Sequence, residues 1–107
     1  KWAKIVSDRL TPLDPHVLMV CKPPEELMEV IDEQTDGYFD IILADGGPNY
    51  NWREKLMKAS LKKIKRFGWL IIDNYGLVNF DYTTGWDCYT FDMFRYSGHG
   101  TRLCKKL

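Results

Sequence analysis

The sequence contains no run approaching the ~20 consecutive apolar residues that a membrane-spanning helix needs. Its first residues, Lys1-Trp2-Ala3-Lys4, lack the apolar stretch of a secretory signal. The expectation is a soluble protein with no membrane partner. Cysteine is scarce: the three, Cys21, Cys88 and Cys104, cannot all pair with one another, and none sits in a C-x-x-C metal or redox spacing. A reducing, cytoplasmic setting fits that usage. Net charge is also missing, with 15 basic side chains against 15 acidic ones. There is no internal repeat, low-complexity tract or linker-like region. The 107 residues hold one domain at most, and with 45% hydrophobic and 14% aromatic residues they can build a core.

The zero net charge conceals a local pattern. From Glu25 to Asp45 there are eight acids and no base, and from Asn51 to Phe67 seven bases and one acid. The plain reading is two solvated faces. A basic helix on nucleic acid is the sharper reading, but Trp52 and Phe67, the aromatics nearest the bases, fall on the apolar stripe, where they would read no base. Nucleic acid is therefore not the favoured partner.

Periodicity orders the chain. Trp2, Ile5, Val6 and Leu10 make one helical face that stops before Pro12. Val17-Leu18-Met19-Val20-Cys21 reads as a strand buried on both faces, with His16 a structural residue at its edge. Pro24, followed by Glu25 and Glu26, starts a helix predicted to run to about Gln34, with Leu27, Met28 and Ile31 facing the core. Phe39 to Asp45 is a second buried strand after the Asp36-Gly37 turn. Trp52, Leu56, Ala59, Ile64 and Phe67 predict a helix over 51–67 that Gly68 ends. Trp69 to Asp73 is a third buried strand. Trp86 to Arg95 and Thr101 to Lys105 read as an antiparallel hairpin. The sum is an α/β fold with a mostly parallel sheet finished by an antiparallel pair.

Ligands of open α/β sheets bind beyond the carboxyl ends of the strands. Two such ends carry acids here: Asp45-Gly46-Gly47-Pro48, where glycine lets backbone approach a ligand closely, and Asp73-Asn74-Tyr75-Gly76. Either acid alone also reads as a cap for the following helix or turn. If the strands are neighbours, Asp45, Asp73 and Asn74 bring together three hard oxygen ligands suited to Mg²⁺ or Ca²⁺ rather than zinc. The same groups would equally orient a substrate hydroxyl or amine, with Asp45 as general base. His99, in a glycine-flanked turn, is a candidate proton carrier or an inert surface histidine. The cysteines read as small core residues.

The run Phe39 to Gly47, the helix carrying Arg53, and then Gly68 to Asn74 resemble the fourth strand, the following helix and the fifth strand of class I S-adenosylmethionine-dependent methyltransferases. Trp86 to Leu107 is similar to the closing hairpin of that fold. The resemblance covers most of the chain. It implies a Rossmann-like sheet, S-adenosylmethionine as cofactor and a small-molecule methyl acceptor. Gly46, Gly47, Asn74 and His99 would contact the substrate, and Asp45 would be catalytic. In the catechol and caffeoyl-coenzyme A type branch an aspartate after the fourth strand and an Asp-Asn pair after the fifth bind a divalent metal, and Asp45, Asp73 and Asn74 resemble those positions. The turn at Asp45 to Pro48 is shorter and less polar than that branch leads one to expect.

The family's cofactor loop after the first strand has no counterpart, since no G-x-G-x-x-G or similar loop occurs. The acid that ends the second strand and holds the ribose has none either. Trp2 to Leu10 resembles the helix after that second strand, so residues 1–107 read as a single partial methyltransferase-like domain without the first strands. The leading expectation is methyl transfer to an oxygen or nitrogen nucleophile. The alternative is a non-catalytic module that associates, as a homodimer for example, along an exposed sheet edge.

Overall fold

The computed structural model describes residues 2–10, 12, 22–45, 49–77, 83–91 and 100–107. Helix α1 is Trp2–Leu10 and α2 is Pro24–Asp32. Strand β1 is Phe39–Ala44, α3 is Tyr50–Ser60 and β2 is Ile64–Asp73. After a 3₁₀ turn at Tyr75–Leu77 come β3, Asp87–Phe91, and β4, Thr101–Lys105. The strand expected at Val17 to Cys21, and His16 beside it, lie outside the described residues.

The four strands form one mixed sheet in the order β1-β2-β4-β3. β1 pairs in parallel with β2, whereas β4 pairs antiparallel with both β2 and β3. The predicted parallel pair and closing hairpin are both present, so the chain has a Rossmann-like α/β sheet ended by an antiparallel pair. Ala44, Leu70, Ile72 and Cys104 join Met57 of α3 and Ile64 in a fully buried core. Alternate strand residues point to opposite faces, so Ile41 and Leu43 of β1 lie on the other face, 57% and 60% exposed. On α1, Val6 and Leu10 are half-buried, while Trp2 and Ile5 are exposed.

The helix predicted over 51–67 ends at Ser60 instead, and residues 64–67 belong to β2. Helical spacing at Ile64 and Phe67 loses to sheet pairing, because Lys62 and Lys63 offer their carbonyls to the amides of Gly37 and Phe39 at 2.9 Å as β1 begins. Gly68 is therefore no helix cap. In register, Phe39 faces Ile64 and Ile41 faces Trp69, so Lys65 to Gly68 stand opposite the single residue Asp40. This wide bulge forces Phe67 to φ 68°. A Cβ on Gly68 would fall 2.6 Å from the Asp40 carbonyl oxygen, so glycine is dictated by close approach.

The two charge blocks fit together across these junctions. Arg53 pairs with Asp45, Lys63 with Asp36 and Lys65 with Asp40, each time one residue from the basic block and one from the acidic block. They are not simply two solvated faces, since Arg53 and Lys63 are buried.

Candidate functional site

The register Ala44 to Ile72 sets the carboxyl ends of β1 and β2 side by side. Asp45 follows β1 directly, and Asp73 is the last residue of β2. Asn74 then turns the chain away at φ 51°, a left-handed conformation that asparagine tolerates better than most residues. Parallel pairing thus brings Asp45, Asp73 and Asn74 to one end of the sheet. Gly46, Gly47 and His99 lie outside the described residues.

Helix α3 begins above this end. Asn49 caps it, its side chain accepting from the Trp52 amide at 2.8 Å. That cap fixes the first turn, in which Arg53 looks back over the strand ends. Arg53 is 6% exposed. Its Nη1 donates to the Asp73 backbone carbonyl at 2.9 Å, and its Nη2 lies 3.9 Å from Asp45 Oδ1, an ion pair beyond hydrogen-bond length. The guanidinium carbon is 5.1 Å from the centroid of the Tyr50 ring, a cation–π distance. One planar fork, buried against an aromatic ring, therefore spans both strands.

The hairpin closes the other side. The Thr101 hydroxyl donates to Asp73 Oδ1 at 3.4 Å, and the Tyr75 amide donates to the Gly100 carbonyl at 3.1 Å. Arg102 hydrogen-bonds the Tyr75 hydroxyl and lies 4.7 Å from that ring. Burial works against the Arg102 charge, but Tyr75, Cys88 and Cys104 raise its pKa above the usual value. Asp45 differs from its neighbours in facing outward, its side chain 56% exposed. The arrangement offers one accessible carboxylate, steadied from behind by a buried cation and able to accept a hydrogen bond from a bound hydroxyl or amine.

Sequence reasoning found the acids and missed the groups that hold them. Arg53 was singled out only through the helix that carries it, Tyr75 only as part of the strand-end segment Asp73 to Gly76, and Thr101 and Arg102 only as hairpin residues. The available signal was an arginine in the first turn of the helix after an acid-ended strand.

A divalent metal fits poorly. Among the described residues no group of three or more His, Cys, Asp or Glu side chains is placed to hold one. The cation found between the strand ends is Arg53. No helix among them is long and apolar enough to cross a membrane.

No family model matches the chain, and no curated protein matches it. Among solved structures it is similar to the crystal structure of a Staphylococcus aureus protein provisionally assigned as a caffeoyl-CoA O-methyltransferase. The two are 14% identical with a TM-score of 0.66, over 97% of this chain and 59% of that one. Identity this low speaks for the fold. The chain thus shares its fold with part of an O-methyltransferase-like structure, and spans 59% of its length.

Proposed function

We propose that these residues form the acceptor side of a class I methyltransferase domain, which transfers a methyl group from S-adenosylmethionine to an oxygen or nitrogen nucleophile of a small molecule. The observation that carries this reading is the parallel β1–β2 pair with Asp45 at its open end, backed by Arg53, in a fold similar to that of the Staphylococcus aureus protein. The cofactor supplies an electrophilic methyl group. This chain's task is to orient the acceptor: Asp45 accepts the hydrogen bond of its hydroxyl or amine and takes the proton as bonding develops. Asn74, at the same end of the sheet, adds a polar side chain that donates as well as accepts.

The test is transfer of labelled methyl from S-adenosylmethionine to a panel of small hydroxyl- and amine-bearing compounds by the protein carrying these residues. A labelled product is the expected result, and no product from any member of the panel counts against it.

A second reading is favoured by the edge position of β1, which among the described strands pairs only with β2 and shows Ile41 and Leu43. A non-catalytic module would associate along that edge. Sedimentation separates the two: a monomer at all concentrations counts against the module.

A further inference from the structure

We propose that Arg53 is the resident cation of this site, joining the ends of β1 and β2 in place of a divalent metal. The inference deepens the reading above and rests on it for the site's purpose, but its test involves no methyl transfer, so the two fail separately.

Of the three oxygen donors that the sequence brings to this end, two are already engaged around Arg53. Asp73 gives its carbonyl to Nη1 at 2.9 Å and one carboxylate oxygen to the Thr101 hydroxyl at 3.4 Å. Asp45 faces Nη2 at 3.9 Å. Magnesium and its relatives require several oxygen ligands converging in near-octahedral geometry. An ion using Asp45 here would lie against a guanidinium that is 6% exposed, and a guanidinium does not discharge itself by losing a proton. Like charges repel most strongly where water is excluded. Asn49 and the Tyr50 ring hold the arginine in place through the helix start and the 5.1 Å ring contact. The fixed cation leaves the outer face of Asp45 to a ligand's hydrogen-bond donor.

The experiment is a Mn²⁺ titration followed by the electron paramagnetic resonance signal of the free ion, on the wild-type chain, Arg53→Met, Asp45→Asn and the double variant. Wild type is expected to follow the buffer line. Arg53→Met, shown folded by circular dichroism, is expected to bind roughly tenfold more tightly or better, since the repulsion is gone, and the double variant to lose that gain. Saturable wild-type binding that Asp45→Asn abolishes overturns the proposal, as does a folded Arg53→Met with no gain. If Arg53→Met does not fold, Arg53→Gln, which keeps a donor for the Asp73 carbonyl, takes its place under the same criteria.

Discussion

Lys63 donates from its ammonium group to the backbone carbonyl of Gln34 at 2.5 Å, just beyond the end of α2 and 29 positions upstream. The same nitrogen reaches the Asp32 carbonyl at 3.1 Å and Asp36 Oδ1 at 3.3 Å. A helix C-terminus leaves carbonyls without partners and carries partial negative charge, so a lysine buried there satisfies both.

Lys63→Met should therefore lower unfolding free energy by about 2 kcal/mol, because the hydrogen bonds that a buried charged donor makes to two backbone carbonyls are lost. Asp36→Asn, at a side chain 71% exposed, should change it by under about 0.5 kcal/mol. Urea denaturation of both variants checks the order.

The bulge at Lys65 to Gly68 gives a second prediction. Gly68→Ala forces a Cβ to within 2.6 Å of the Asp40 oxygen, 2.8 Å of Ile64 Cγ2 and 2.9 Å of the Lys65 carbonyl. Two of these are backbone atoms, one on β1 and one within β2 itself, so relief requires β1 to move away and the bulged backbone of β2 to shift. The expected loss is about 1–3 kcal/mol or more. Gly85→Ala meets nothing within 4 Å but holds φ +86°, so its cost is backbone strain alone, about 1 kcal/mol. Denaturation midpoints should rank wild type, Gly85→Ala, then Gly68→Ala.

Cys88 and Cys104 sit opposite one another on β3 and β4, and Thr83 Oγ1 lies 3.5 Å and 3.8 Å from their sulfurs. Burial first, then a hydrogen bond with Cys88, pushes the Cys104 thiol up to about 12. Because the folded value exceeds the unfolded one, this thiol's contribution to stability is fully present below the unfolded value, about 8.5, and is lost as pH rises toward 12. Stability of the wild type should fall more steeply between these limits than that of Cys104→Val. Equal slopes in denaturation series across that range would contradict the assignment.

What the sequence revealed, and what it hid, follows from distance along the chain. β1 and the later part of β2 were legible because an apolar run ending in an acid is a local pattern, as was the hairpin at β3 and β4. The end of α3 was misread because Ile64 and Phe67 keep helical spacing, while the pairing of Lys63 with Phe39 that stops the helix spans 24 residues. At the site, Asp45 and Asp73 were legible as strand ends. Arg53 was not, because its burial depends on the cap at Asn49 and on a carbonyl 20 positions downstream. A base in a run of bases looks solvated until the fold turns it inward.

The central claim is that Asp45 faces the methyl acceptor, and kinetics of Asp45→Asn in the protein carrying these residues test it most directly. Asparagine keeps the shape and removes the ability to take a proton, so kcat should fall by about 100-fold or more with S-adenosylmethionine affinity unchanged. Undiminished kcat in Asp45→Asn, or a loss confined to cofactor affinity, would contradict it.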